Sequence, residues 1–278
     1  MKKFRILSFL LCLLTLFGAC SALPASVDYD NTVTMLNVGQ ASCTLIESGG
    51  RFCLIDAAKY GGDTDIVSYL SERDVKKIDL LVLTHFHYDH TSHAMDVIRN
   101  FDIGTVLIPS LSQENIPDSY LYKSLLEDAA NGYYTLAYAT EGMQFAIGDG
   151  VLTVAADTYN SENINNTSTV AVFTHDDFTY VNMADTEQDR EEYIAHLLPA
   201  DIDFLTAGHH GSDDATSQLL LDRLNPSAVG ISCSETNEYG HPHKSMLARL
   251  ENMDIPYYIT YETGNIVFDI DTLSVVSE

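Results

Sequence analysis

The chain is 278 residues long, 46% hydrophobic and free of tryptophan, with 40 acidic residues against 14 basic ones and a formal charge of −26. That length accommodates one large domain or two small ones. So negative a surface repels polyanions and argues against high-affinity, non-specific DNA binding, unless the active cleft is locally different or screened by metal.

The elements are taken in chain order. Lys2, Lys3 and Arg5 form a basic start, Ile6 to Phe17 an apolar stretch, and Leu16-Phe17-Gly18-Ala19-Cys20 sets small residues just before a cysteine. The apolar stretch is shorter than the roughly 20 residues a permanent membrane helix needs. It is similar to a bacterial lipoprotein signal. That likeness implies residues 1–20 as signal, lipidation of Cys20, and attachment by that lipid to the extracellular face of the bacterial cell membrane. Phe17 stands where an aliphatic residue is usual, so a plain secretory signal and a secreted protein are the alternative. Residues 21–278 are expected to form a single domain, and they carry all 40 acidic residues. Beyond Cys20 remain Cys43, Cys53 and Cys233. Their odd number leaves at least one unpaired within a monomer, and without a CxxC they read as buried, apolar-like side chains.

Strands are expected at Thr32 to Val38, Ala41 to Glu47 and Arg51 to Asp56, the last two joined by Ser48-Gly49-Gly50. A helix follows at Asp65 to Arg73, then a buried strand at Leu80 to Leu83, a histidine-rich loop, a helix from His93 to Asn100 and a strand at Thr105 to Ile108. Residues Ser110 to Gly142 read as a surface excursion with a helix at Leu121 to Ala130. The second half repeats the rhythm, with strands at Val151 to Ala155, Thr169 to Thr174 and Phe178 to Met183 and a helix at Gln188 to Leu198. Next come a strand at Phe204 to Ala207, a helix at Ser217 to Leu224, a strand at Val229 to Ser232 and a helix at Met246 to Asn252. Strands at Tyr257 to Tyr261 and Asn265 to Ile270 close the chain. Two β-rich halves, each with helices, imply an α/β fold: a four-layer αββα sandwich with the site along one sheet edge.

The chemistry concentrates at strand ends. Thr84-His85-Phe86-His87-Tyr88-Asp89-His90 offers four potential metal ligands within six residues, and imidazole with carboxylate suits zinc, manganese or iron(II). Asp185 follows the apolar run Tyr180 to Ala184; a carboxylate there can bridge two cations or cap the following helix. His209 and His210 sit between Gly208 and Gly211 after another strand. One can bind metal while the other holds a phosphoryl oxygen or donates a proton, and the sequence does not say which. His241, between Gly240 and Pro242, is a further candidate ligand, whereas His243 reads as an exposed helix start. His93 also reads as a helix start, and His175, beside Asp176-Asp177, as an exposed turn residue.

These motifs resemble the metallo-β-lactamase superfamily, and more narrowly the extracellular domain of the competence protein ComEC and its secreted homologues. The resemblance rests on Met35 to Gln40, Leu54-Ile55-Asp56-Ala57, Leu83 to His90, Asn165-Asn166-Thr167-Ser168, Ala184-Asp185, His209 to Ser212 and Asn237 to Pro242, in family order. The chain departs from it at Asn37-Val38-Gly39-Gln40-Ala41-Ser42, where the family has an acidic residue before Val-Gly-Gln and Gly-Asp after it. It departs again at Thr91-Ser92, where glycines are usual. Asn165 to Ser168 stands where much of the superfamily has another metal histidine. By analogy with a bacterial phosphorylcholine esterase of the superfamily, His85, His87 and His209 or His210 would hold one divalent cation. Asp89, His90 and His241 would hold a second, with Asp185 shared between the two.

The resemblance implies a phosphodiesterase using two zinc or manganese ions. Asp89, His209 and His210 are the expected catalytic residues, and Asn166, Ser168 and Tyr239 the expected substrate contacts. The likeness to ComEC makes DNA a candidate substrate; the acidic charge favours a small, cell-wall or lipid-linked phosphodiester instead. A basic groove lined by Lys59, Arg223, Lys244 and Arg249 would reverse that preference. Hydrolysis of a lactone, lactam or thioester, and a metal-binding lipoprotein without catalysis, are the competing readings. No protein partner is indicated.

Overall fold

The computed structural model describes residues 30–156 and 161–277; the expected signal at residues 1–20, with Cys20, lies outside them. The first half runs β1 (Asn31–Met35), β2 (Thr44–Ser48), β3 (Arg51–Ile55), α1 (Ile66–Glu72) and β4 (Lys77–Val82). It continues through α2 (Tyr88–Thr91), α3 (Ala94–Asn100), β5 (Asp102–Ile108), α4 (Tyr120–Ala130) and β6 (Thr135–Tyr138). The second half runs β7 (Gln144–Ile147), β8 (Gly150–Ala156), β9 (Val170–His175), β10 (Phe178–Asn182), α5 (Gln188–Ile194) and β11 (Phe204–Thr206). Then follow α6 (Gln218–Leu224), β12 (Ala228–Ile231), α7 (Lys244–Asn252), β13 (Tyr257–Ile259) and α8 (Thr260–Thr263). The last two strands are β14 (Ile266–Asp269) and β15 (Ser274–Ser277).

One sheet has the order β15-β14-β1-β2-β3-β4-β5-β6 and the other β13-β12-β11-β10-β9-β8-β7. Strand alternation explains how the sheets stack, because successive side chains point to opposite faces. In β3, Cys53 and Ile55 enter the apolar layer between the sheets while Leu54 enters the layer under α1 and α3. In β11, Phe204 faces the inter-sheet layer and Leu205 packs under α5 to α7. Three apolar layers separated by two sheets give the expected αββα sandwich. Helix starts are set by local caps: Asp65, Ser119 and Ser217 accept the backbone N–H of Ser68, Tyr122 and Leu220.

The differences from expectation lie at edges. Strands β6, β7 and β15 were not expected: β6 and β7 are short, largely exposed edge strands, and an alternation carried by four residues is a weak signal. The strand expected to Tyr261 ends at Ile259, where α8 begins. His175 is buried rather than exposed, because it ends β9 inside the hairpin opposite Phe178. Cys43, Cys53 and Cys233 are free and buried, as read from their number and setting. Among the described residues, no helix is long and apolar enough to cross a membrane.

Candidate metal centre

Neighbours β3, β4 and β5 run parallel, as do β10, β11 and β12, and parallel strands gather ligand-bearing loops at their carboxyl ends. Asp56 follows β3, His85 to His90 follow β4, Asp185 follows β10, and His209 and His210 follow β11. Several of these turns use left-handed backbone without glycine: Asp56 (φ 62°), Ala184 (φ 48°), His209 (φ 46°) and His210 (φ 55°). Each costs about 1–3 kcal/mol, and such costs gather at functional sites. Gly211 is glycine for steric reasons as well: at φ 83°, a Cβ would stand 2.7 Å from Pro242, so this contact packs the His210 and His241 loops together.

Two groups of ligand atoms converge on Asp185, which is 2% exposed. His85, His87 and Asp185 form one, and Asp89, His90, His210 and Asp185 the other. The Asp185 oxygens divide between them. Oδ2 lies 3.7 Å from His85 Nε2 and 3.9 Å from His209 Nε2, whereas Oδ1 lies 3.2 Å from His90 Nε2 and 3.8 Å from His210 Nε2. His85 Nε2 is 3.1 Å from His87 Nδ1, and His210 Nε2 is 3.2 Å from Asp89 Oδ2. Donor atoms about 2.0–2.2 Å from one tetrahedral cation stand about 3.2–3.6 Å apart. The His90–Asp185 and His210–Asp89 pairs lie in that range and the other pairs close to it, so small ring movements would let the two groups hold two metal ions. The Nε2 atoms of His90 and His210 are also buried without a hydrogen-bond partner, a costly state that a cation would relieve.

Outer contacts aim the rings. His90 Nδ1–H donates to Asp56 Oδ2 at 2.6 Å, and His210 Nδ1–H to the Ser232 carbonyl at 2.9 Å. His85 Nδ1 lies 3.2 Å from Thr84 Oγ1 and 3.3 Å from Ser168 Oγ. Each contact turns Nε2 toward Asp185, the arrangement by which carboxylates and carbonyls fix a ligand's tautomer. Burial, then the neighbouring His90, hold His85 well below the usual histidine range. Burial also opposes a charge on His90, yet Asp185 and Asp56 outweigh it and raise that ring well above the range. Burial raises the Asp185 carboxyl, but His90 and His210 outweigh it and hold the group well below the carboxylate range.

The centre opens into a cleft of about 510 Å³ lined by Gln40, Lys59, His87, Tyr88, Asp89, Asn165, Asp185, His209, His210, Glu238, Tyr239 and His241. The structure does not bring Asn166 or Ser168 to this lining. Both are buried; Asn166 Oδ1 accepts the Glu187 N–H, and Ser168 braces His85. Asn165 lines the cleft instead, its amide donating to Glu187 at 2.7 Å. His241 lines the cleft but stands outside both ligand groups, and His210 occupies the place beside Asp89 and His90. Its ring is held down to about 4 by burial and by His210 and His209. His209 lies beside the first group, with Nδ1 3.6 Å from both Glu187 and Asp214. His243 is the N-cap of α7 and is half-buried, and His93 likewise starts α3. Asp56 is the functional residue the sequence reading missed; its signal was an acidic residue directly after a buried strand.

The Metallo-beta-lactamase superfamily model matches residues 36–229, and the chain belongs to that superfamily. It is 24% identical over 209 residues to ComE operon protein 3 of Bacillus subtilis (strain 168), covering 74% of this chain and 26% of that protein. It is 26% identical over 223 residues to Recombination protein 2 of Haemophilus influenzae (strain ATCC 51907 / DSM 11121 / KW20 / Rd), covering 78% of this chain and 26% of that one. The chain thus spans about a quarter of the length of these curated relatives. The crystal structure of YhfI from Bacillus subtilis, a metallo-beta-lactamase fold protein, aligns with a TM-score of 0.58 at 10% identity. That alignment covers 86% of this chain and 100% of that one, and shows the shared fold.

Proposed function

We propose that the chain is a hydrolase of phosphodiesters that works with two divalent cations, zinc or manganese, on a small or cell-envelope diester outside the membrane. The observation that carries this reading is the division of the Asp185 oxygens between two ligand groups at the floor of an open cleft. His85, His87 and Asp185, with His209 beside them, would hold one cation; Asp89, His90, His210 and Asp185 would hold the other. Two such cations would lower the pKa of water from 15.7 to about 7 and offset charge on phosphoryl oxygens.

The protein's own groups supply orientation. Asp56, Ser232, Ser168 and Thr84 hold the ligand rings, so little rearrangement is needed when substrate enters. Asp89, which lines the cleft, can accept a hydrogen bond from the attacking water. Lys59 offers positive charge to a substrate anion, and Tyr88 and Tyr239, about 60% exposed, offer ring faces.

The rest of the basic groove does not form. Arg223 donates to the carbonyls of Ala195 and Leu198, and Arg249 to those of Asp213, Ala215 and Thr216. Among the described lining residues Lys59 is the one Lys or Arg, against Asp89, Asp185 and Glu238. This charge balance favours a small diester over duplex DNA. One relative is named for recombination, which makes nucleic acid the polymer to assay beside it. Bis(p-nitrophenyl) phosphate hydrolysis by the zinc- or manganese-loaded protein, with Asp185→Asn as control, tests the reading. Metal-dependent turnover absent from the control is expected. Turnover of a lactam, lactone or thioester but not of the diester would replace it. Anchorage through Cys20 is part of the proposal, and Cys20→Ser should move the protein from the membrane fraction to the medium.

A further inference from the structure

His241 differs from the floor histidines in what holds its Nδ1. Gln40 Nε2 lies 3.2 Å away in a buried contact. An amide nitrogen carries two hydrogens and has no lone pair with which to accept, so the ring nitrogen is the acceptor. The amide is fixed at its other end, where Oε1 accepts the Ser234 backbone N–H at 3.4 Å. Turning it over would set its NH2 against that N–H, donor against donor. A neutral imidazole that accepts at Nδ1 carries its proton on Nε2, and a protonated Nε2 has no lone pair for a cation.

The ring is also held in place. Asn237 clamps the His241 backbone from both sides, its Oδ1 accepting the His241 N–H at 2.9 Å and its Nδ2 donating to the His241 carbonyl at 2.7 Å. The Tyr239 ring stacks on the imidazole at 5.6 Å. Among the described residues no hydrogen bond engages Nε2, and neither of the two ligand groups that converge on Asp185 includes His241.

We infer that His241 serves as a hydrogen-bond donor through Nε2–H to a phosphoryl oxygen of the substrate, not as the ligand of the second cation that the family resemblance implies. Gln40 is its positioning residue and sets the tautomer. The identity of the accepting oxygen rests on the phosphodiesterase reading; the tautomer does not. A preorganised donor of this kind contributes about 10²–10³ in kcat.

Two measurements on the zinc-loaded protein test the inference. In a long-range ¹H–¹⁵N spectrum, assigned by comparison with His241→Ala, His241 should show the Nε2–H tautomer. Gln40→Glu, whose carboxylate would accept from Nδ1–H, should convert it to the other. A wild-type ring protonated at Nδ1, with Nε2 shifted as a metal ligand, would overturn the inference. Metal content with kinetics gives the second arm. His241→Ala should retain two zinc ions per chain and lose about 100-fold in kcat on bis(p-nitrophenyl) phosphate with KM little changed. His241→Gln, which keeps an N–H donor, should recover part of that loss. Loss of one zinc in His241→Ala would overturn the inference. Failure of the wild type to cleave any diester would defeat the phosphodiesterase reading instead, and the tautomer spectrum would still decide the state of the ring.

Discussion

At the floor of the cleft, His85, His90 and His210 are buried, and the Nδ1 of each lies against an oxygen: a hydroxyl, a carboxylate or a carbonyl. At the rim, the Nδ1 of His241, itself buried, lies against the amide nitrogen of Gln40, the exposed Tyr239 stacks on the ring, and the exposed Tyr88 lines the same cleft. The same side chain therefore presents a lone pair in one region and a proton in the other. The partner on the far side of the ring decides which. A count of histidines along the sequence cannot separate these roles; the second hydrogen bond of each ring can.

The sharpest way to break this contrast is at the floor. Asp185→Asn removes the carboxylate that both ligand groups share, and diester turnover should fall by at least about 10³-fold, beyond the roughly 10–100-fold typical of residues behind the ligands. Retained turnover would mean that the floor is not the reaction centre. Asp56→Asn touches only the support of His90, so metal affinity or turnover should fall about 10- to 100-fold; competition with a fluorescent chelator measures it. An unchanged affinity would mean that the oxygen behind the ring does not matter.

A third test is the pH dependence of the floor. In the chain alone, His90 is raised above its ordinary 6.5. Its ion pairs therefore contribute stability that is full below 6.5 and lost as pH rises through the raised value. Asp185 is depressed below its ordinary 3.8, so its contribution is present above 3.8 and lost as pH falls through the lowered value. Chelator-treated protein should thus melt highest between these limits. His210 is raised as well, burial being outweighed by Asp185 and Asp89. Cation binding must displace protons from His90 and His210, so apparent metal affinity should fall on acidification, with protons released on binding. Calorimetry in buffers of different ionisation enthalpy counts the protons, and zero release contradicts the assignment of His90 and His210 as ligands. The smallest effect belongs to the rim: Lys59→Gln should raise KM several-fold, about 1 kcal/mol of ground-state binding, with metal content unchanged.

The architecture was readable because buried strands, capped helices and the histidine run each leave a local signal. Leu80 to Leu83 is apolar without interruption, Phe204 to Ala207 is broken only by Thr206, and in each case a histidine ligand candidate follows within two residues. What escaped depends on tertiary direction. Asn165 and Asn166 are neighbours in one 3-10 turn, and only the fold shows which amide reaches the cleft and which supports the loop. His209 and His210 both have left-handed backbone, which sends one ring toward Glu187 and Asp214 and the other toward Asp89. Asp56 is a single carboxylate after β3, and its importance appears only when His90 folds over it from α2.

The central claim is that two cations sharing Asp185 drive phosphodiester hydrolysis. Its most direct test is turnover of bis(p-nitrophenyl) phosphate, followed as zinc or manganese is added stepwise to metal-free protein. Activity should rise until two equivalents are bound and then level off. No turnover at any ratio, or a plateau at one equivalent, would contradict the account.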